Sequence, residues 1–576
     1  MSRLLTHRGP DDDGVFVDPG GRVALGARRL AIIDVANGHQ PLSNEDGTVW
    51  AVLNGEIYNH PDLIAELRRA GHTFTTRCDT EVLVHLYEEC GTAMVHALEG
   101  MFAFAIWDSV RGRLVLARDR FGEKPLFVRR DAEGLEFASE LSPLIETPGS
   151  GALRPSALDT FFVFGYVPGP ETVIEGVEQI PQGSLLVYDV ASGEAELQHY
   201  WTPPRQAVRR GEPVAELQAE TLRLLERSLE RTLVSDVPVG AFISGGVDST
   251  LITALLARMS PEPPRTFTVG YDIGDVSELE AARQTADVLG TRHHEVLLTQ
   301  RAVRDTTPDL LGSLDQPLAD PALVAMHAVS AAAREHVKVV VGGQGADELF
   351  GGYPRYLWLR RSLRLQQLLP GGPARLGASL IGAAVGTSRV SRLSRVADVL
   401  DPQPILRRHL GWVTAHRSAF RARLYGERLS HLRDSEHAIA TLNQHLDGAH
   451  DLGIGDLMTL DRVHWLPDDV LTMCDRAGML VGLEMRTPYL NRELAEFATT
   501  IAPATHIDPR GKRLLRGALA TLVPRKLTWR RKLAFRAPAD EWLRGPLHES
   551  AREHLLEGRL TADGWFNAKG VAELLN

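Results

Sequence analysis

Ser244-Gly245-Gly246-Val247-Asp248-Ser249 lies between an apolar run, Val237 to Ile243, and an apolar segment of helical length, Ser249 to Ala257. The first run reads as a buried strand and the second as a helix. A strand, a glycine-serine turn and a helix in succession aim free backbone N–H groups and a positive dipole end at an anion. Gly245 and Gly246 let the backbone approach phosphate, and Ser244 and Ser249 add hydroxyl donors. Asp248 is the odd member, because a carboxylate beside phosphates is repulsive unless a divalent cation lies between them. The combination points to ATP with Mg2+ and to a reaction at the phosphates.

A glycine-rich turn after a strand is by itself often only a turn. The glycine spacing is not that of the dinucleotide fingerprint, and the P-loop lysine is missing. The hexapeptide resembles the pyrophosphate loop of the ATP pyrophosphatase superfamily, whose members split ATP between the α and β phosphates.

The 576 residues are enough for more than one domain. A balance of 63 basic against 74 acidic residues argues against nucleic acid as a partner. Three cysteines, Cys78, Cys90 and Cys474, are too few and too scattered for a disulfide framework or a zinc site. The apolar stretch around 376–386 is too short to span a bilayer, and Met1 to His7 has no signal-peptide core. The expected class is a cytoplasmic enzyme with no membrane partner.

The texture changes near Trp201-Thr202-Pro203-Pro204-Arg205, and the expected domains are 1–203 and 213–576. The first carries short β-like runs between turn residues: Arg22 to Gly26, Thr48 to Leu53, Met101 to Trp107 and Leu114 to Arg118. Stacked antiparallel sheets are the expected product. In the second, strands (Thr266 to Tyr271, Glu295 to Leu298, Val337 to Val341) alternate with helices (Glu278 to Gly290, Ala322 to His336). That order predicts a doubly wound parallel sheet with ligands at the carboxyl ends of its strands. A second glycine-rich turn, Gly342-Gly343-Gln344-Gly345-Ala346-Asp347-Glu348, should therefore meet the first. Asp248 and Asp347 together could hold Mg2+ against pyrophosphate oxygens. A capping aspartate is the plainer account of Asp347 taken alone.

Over nearly its full length the chain resembles the glutamine-dependent asparagine synthetases. The resemblance rests on His7-Arg8-Gly9-Pro10-Asp11, Arg29 to Asp34, Asn54-Gly55-Glu56-Ile57-Tyr58-Asn59, Cys78-Asp79-Thr80-Glu81 and Gly100 to Phe104. It continues with Gly345 to Tyr353, Leu466-Pro467-Asp468-Asp469, Asp475 to Met479, Leu483 to Leu490 and Arg530 to Phe535. It implies an N-terminal αββα fold of the N-terminal-nucleophile type, a class II glutamine amidotransferase. It also implies a C-terminal ATP-pyrophosphatase-type synthetase with helical additions.

Carried over position by position, the resemblance implies glutamine binding by Arg29, Ile33, Asn54, Gly55, Glu56 and Asp79. Arg29 would face the α-carboxylate and Asp79 the α-ammonium, with Asn54 and Gly55 as oxyanion donors. From the dipeptide alone, Asn54-Gly55 reads as a hairpin turn. ATP would be held by Ile243, Ser244, Gly245, Gly246, Asp248, Ser249, Val269, Gly342 and Gly343, and metal by Asp248 and Asp347. Lys532, Asp347 and Gln344 are the implied catalytic positions, and Asp475, Glu484 and Arg486 are candidates for the acceptor substrate. The implied small molecules are aspartate or a related acid, ATP, and glutamine or ammonia; a homodimer is compatible with them.

Three departures stand out. The family's N-terminal Cys nucleophile is absent, and Ser2 is expected on a helix away from the site; the expectation is a true start upstream rather than direct use of ammonia. Gln344 replaces the family's usual acid, and an amide cannot act as a base near neutral pH. Gly342, Gly478, Asn491 and Ala534 replace the usual Ser, Ser or Thr, Asp and Gly. These departures keep open an amide-forming or cyclising synthetase of the β-lactam or lasso-cyclase kind, and a non-catalytic nucleotide-binding homologue. The Arg-rich block from Arg360 to about His450 reads as a solvated helical surface.

Overall fold

The computed structural model describes residues 1–146, 151–204, 211–273, 278–368, 404–414, 418–433, 435–446, 452–528, 530 and 537–575. Lys532, Ala534, the stretch 376–386 and much of the Arg-rich block lie outside the described residues. Among the described residues, no helix is long and apolar enough to cross a membrane.

The N-terminal half is built on a six-stranded antiparallel sheet. Its spatial order is Ala195–His199, Ser184–Asp189, Arg113–Arg118, Gly100–Asp108, Val49–Ile57, Leu42–Ser43. The central strand shows why the sheet is sandwiched. Phe102, Phe104 and Ile106 pack on one face with Val82, Leu83 and Leu86 of the helix Asp79–Cys90. Ala103, Ala105 and Trp107 point to the other face, towards Leu25, Leu126 and Ile180. Alternation places successive side chains on opposite faces, so a run apolar at every position demands cover on both. A two-stranded and a three-stranded antiparallel sheet accompany it.

Two strands of this half differ from expectation by more than one residue. The strand expected at Arg22 to Gly26 is Ala24–Arg29, paired with Asp12–Val17. The strand expected to end at Leu53 runs on to Ile57, with Asn54 opposite Ala103 and Gly55 opposite Phe102. Asn54-Gly55 is therefore no hairpin turn. Gly55 has φ +132°, and a Cβ there would run into the Met101 carbonyl, so the ladder closes only around glycine.

The C-terminal half holds a five-stranded parallel sheet in the order Arg292–Leu298, Arg265–Tyr271, Val239–Phe242, Val339–Val341, Glu484–Arg486. The strand expected at Glu295 begins three residues earlier, and the helix expected to reach His336 ends at Arg334. Helices cover both faces. Leu224, Leu225, Leu251, Leu255, Leu514 and Leu515 fill one side, and Leu323, Val324, Val329 and Cys474 the other. The strands before the two glycine-rich turns, Val239–Phe242 and Val339–Val341, are immediate parallel neighbours, so topology brings the turns together. Asp461–Leu471, which carries Leu466-Pro467-Asp468-Asp469, is a π-helical stretch running straight into the helix Thr472–Met479.

Candidate active site

All six expected glutamine-pocket residues, Arg29, Ile33, Asn54, Gly55, Glu56 and Asp79, line one cavity of about 380 Å³. Arg29 ends its strand and donates to the carbonyl oxygens of Ile33 (2.6 Å) and Asp34 (2.9 Å), which fixes its guanidinium. Asp79 opens the helix Asp79–Cys90, and its carboxylate accepts the Ile57 N–H at 2.9 Å. Glu56 is buried; desolvation, with Asp79 and Glu484 adding repulsion, raises its carboxyl well above the ordinary range against the pull of Arg486. Ser2 does not lie away from this site. The 3-10 turn Ser2–Leu5 places it on the cavity wall beside Gly26. Cys78 also borders the cavity, but burial, with Asp79 beside it, pushes its thiol far up, which holds it in the unreactive protonated form.

A second cavity, of about 510 Å³, opens at the carboxyl edge of the parallel sheet. Ile243, Ser244, Gly246, Asp248, Ser249, Val269, Gly343, Gln344 and Asp347 all line it. Gly245 and Gly342 lie behind this wall and shape it. Gly245 (φ +73°) turns against the Ala281 backbone, and the Gly342 N–H donates to the Arg486 carbonyl at 2.9 Å. The two turns touch: a Cβ on Gly343 would stand 3.0 Å from the Cβ of Asp248, so any side chain there would push them apart.

Asp248 and Asp347, 99 positions apart in the sequence, converge on one cation, the ammonium of Lys512. Lys512 is bonded to Asp248 and lies 2.8 Å from Asp347 Oδ1. It is 4% exposed and sits at φ +55°, just before the helix Arg513–Leu519. Burial alone would lower its pKa, and the two carboxylates more than reverse that. Sequence reasoning missed Lys512. The available signal was Gly511-Lys512 opening an apolar helix, together with the need of two converging carboxylates for a counter-charge.

Two further acids in this cavity were also missed. Glu278 is held at about 8 by desolvation, and Glu348 at about 7, by burial first and the nearby Asp347 second. Glu348 accepts the Tyr353 hydroxyl at 2.6 Å.

Asp475, Glu484 and Arg486 do not reach the ATP-side cavity; they sit on the seam between the halves. Arg8 makes a bidentate pair with Asp475 (2.7 and 3.0 Å) and bonds Glu140 at 3.0 Å. Arg476 bridges Glu140 (2.5 Å) and Asp315 (2.6 Å). Lys124 lies 3.7 Å from both Asp475 and Glu484, and Arg486 joins Glu484 (2.9 Å) to Glu56 (3.4 Å). Glu484 and Met479 thereby become part of the wall of the glutamine-side cavity.

The profile of the Asparagine synthase family matches residues 220–576, and that of a glutamine amidotransferase domain matches residues 1–201. The chain belongs to the asparagine synthase family. Asparagine synthetase [glutamine-hydrolyzing] 1 of Bacillus subtilis (strain 168) is 33% identical over 584 residues, taking in 100% of this chain and 89% of that protein. A putative asparagine synthetase [glutamine-hydrolyzing] of Mycobacterium bovis is 35% identical over 562 residues, covering 94% of this chain and 84% of its own. Among solved structures, a glutamine phosphoribosylpyrophosphate amidotransferase from B. subtilis overlaps at a TM-score of 0.26 and 17% identity, covering 60% of this chain and 71% of that one. That overlap is too low to carry an argument.

Proposed function

We propose that this family member is an ATP-dependent asparagine synthetase. The aspartate β-carboxylate attacks the α-phosphorus of ATP, forming β-aspartyl-AMP and releasing pyrophosphate. Ammonia then adds to the activated carbonyl, AMP leaves, and one proton is lost from nitrogen. The observation that carries this reading is the meeting of Asp248, Asp347 and Lys512 at two touching glycine-rich turns on the lip of a nucleotide-sized cavity.

The roles follow from the chemistry of each group. The N–H groups at the start of the helix Val247–Met259, with Ser244 and Ser249, receive phosphate oxygens. Two carboxylates converging on one point are the donor set that Mg2+ takes when substrate phosphates supply its other ligands. Asp248 and Asp347 would hold it, and when bound it neutralises charge on the phosphates. Lys512 already carries positive charge to this spot and steadies the departing pyrophosphate. Lys532 is proposed to assist, as the family resemblance implies.

Gln344 lines the cavity without a titratable proton. Glu348, near 7 and bonded to Tyr353, is the group placed to accept a proton from the incoming ammonia. Glutamine is proposed to bind between Arg29 and Asp79; where a nucleophile of the family's cysteine kind is supplied, attack on the side-chain amide frees ammonia and water then releases glutamate, and free ammonium serves otherwise. The helix Thr472–Met479 supports a route for the released ammonia: Met473 lines the ATP-side cavity and Met479 the glutamine-side one, about 9 Å apart along the axis.

The test is an assay of pyrophosphate, AMP and asparagine with ATP, Mg2+, aspartate and ammonium. Equimolar AMP and asparagine are expected. Pyrophosphate release with other carboxylic acids but not aspartate would instead favour the cyclising synthetase that Gln344 suggests. No release with any acid would leave only nucleotide binding.

A further inference from the structure

The helix Asp79–Cys90 supplies Asp79 to the glutamine pocket from its first residue. Farther along, His85 and Glu88 stand one turn apart on one face of it. Two other segments reach the same spot: Glu45, in the connection between Leu42–Ser43 and Val49–Ile57, and His72, just past the end of the helix His60–Ala70. Donor atoms from these four residues all lie within 4.8 Å of one another.

The spacing is regular. His85 Nδ1 is 3.4 Å from Glu45 Oε2 and 3.4 Å from Glu88 Oε2. His72 Nδ1 is 3.6 Å from Glu45 Oε1 and 3.7 Å from Glu88 Oε2. A tetrahedral zinc with ligand bonds of about 2.0–2.1 Å places its donors ~3.3–3.4 Å apart. These four separations are wider than good hydrogen bonds and near the edges of such a tetrahedron; Glu45 meets the two imidazoles through different oxygens, and the full donor set spans up to 4.8 Å.

A second observation is independent of the spacing. The His85 side chain is 0% exposed, yet neither ring nitrogen makes a well-formed hydrogen bond; each has only carboxylate contacts of 3.4–3.8 Å, to Glu45, Glu88 and Glu81. Leaving a buried polar nitrogen unsatisfied is costly, and Nδ1 points into the cluster. The surroundings also match those of metal-bound histidine, whose other nitrogen faces an acceptor. His72 Nε2 is 3.0 Å from Glu89 Oε1, and His85 Nε2 is 3.8 Å from Glu81 Oε1. Asn44 holds Glu88 Oε1 at 2.8 Å, and the Thr73 N–H holds Glu45 Oε1 at 2.8 Å.

We propose that Glu45, His72, His85 and Glu88 form a four-coordinate site for a zinc-class divalent cation. Two imidazoles and two carboxylates suit zinc among the common biological cations, and four protein ligands leave no position open for substrate. The site is structural. It ties the strand connection and the end of the helix His60–Ala70 to the helix Asp79–Cys90, and so steadies the element that carries Asp79. It stands apart from the proposed reaction, which its test does not use.

Untagged full-length protein is stripped with EDTA, equilibrated with zinc chloride, exchanged into metal-free buffer and measured for bound zinc by mass spectrometry. About one zinc per chain is expected, with a melting temperature above that of the stripped protein. His72→Gln and Glu88→Gln, both at solvent-accessible ligands, should lose the zinc and its thermal shift while keeping the stripped protein's melting temperature. Glu89→Gln should weaken zinc binding by ~10–100-fold. Asp248→Asn should retain the metal, which separates this site from the ATP-side carboxylates. Only trace zinc in the wild-type protein, or His72→Gln binding zinc as tightly as wild type, overturns the proposal.

Discussion

The two cavities are assembled by different means. The glutamine-side one is cut into an antiparallel ladder: Asn54, Gly55 and Glu56 are consecutive residues of one strand, their backbone fixed by Gly100–Asp108. Its polar groups are largely held by nearby chain, as Arg29 is by the Ile33 and Asp34 carbonyls. The ATP-side cavity is made at the open edge of a parallel sheet, where turns distant in sequence become neighbours because their strands do. Its charges are balanced across the fold, with Lys512 answering Asp248 and Asp347. A ladder pocket is specified locally and a sheet-edge pocket by topology. The first should therefore fail piecemeal when altered, and the second as a unit.

The largest effect expected from this contrast is at Lys512. Lys512→Met removes the cation and leaves two carboxylates repelling each other where phosphate is proposed to bind. Ammonium-dependent synthesis should fall ~10³-fold or more, and Asp248→Asn should do no further harm in the double variant, since members of one unit are not additive. Turnover within a few-fold of wild type would show that the lysine only fills space.

Next in size is the seam that couples the two cavities. Arg8→Met leaves Asp475 and Glu140 buried with one partner fewer, a change worth about 3 kcal/mol in this setting. Chemical denaturation should register that loss. Arg8→Met combined with Glu140→Gln should cost less than the sum of the two single changes. Strict additivity would mean that the charges act independently.

Smaller again are changes within the ladder pocket. If glutamine binds as proposed, Arg29→Lys loses the planar fork and Asp79→Asn the charge facing it, about 1.5–3 kcal/mol each or ~10–100-fold in glutamine affinity. Ammonium-dependent synthesis should be untouched, because neither residue borders the ATP-side cavity. A matching loss with ammonium would contradict the separation of the two halves.

How much could be read from the sequence follows the same division. The strand, Ser244–Ser249 turn and helix were legible because periodicity and glycine placement are local, and the parallel alternation then predicted that Asp347 would come to meet Asp248. The glutamine pocket came from short motifs in recognisable order. Lys512 was not legible, because a lone lysine before an apolar helix has no local mark of burial; only the two carboxylates arriving in space give it meaning. Asp475, Glu484 and Arg486 came as acceptor candidates from the resemblance alone, and nothing local reveals that Arg8, Lys124 and Glu56 stand across the seam. Gly55 was ambiguous because Asn-Gly is a common hairpin turn, and only its partner Phe102 decides that it lies within a strand.

The smallest expected effect tests whether the sheet-edge cavity holds a neutral carboxyl, as burial also favours at Glu56 in the ladder pocket. Glu278 lines it at about 8, against an ordinary value of 4.5, and desolvation is the cause. The folded state therefore keeps a proton on Glu278 that the unfolded chain releases between pH 4.5 and 8. Where the native state binds more protons, stability falls as pH rises, so Glu278 should weaken the fold progressively through that window and add nothing further above it. Glu348, near 7, pulls in the same direction, so removing Glu278 should reduce the slope without abolishing it. Glu278→Gln keeps the shape and cannot ionise. Its melting temperature should match wild type near pH 5 and exceed it by a few degrees near pH 9, in nucleotide-free protein. A difference that stays constant from pH 5 to pH 9 would mean that Glu278 ionises normally in the fold, with water reaching the sheet edge as freely as it reaches the surface.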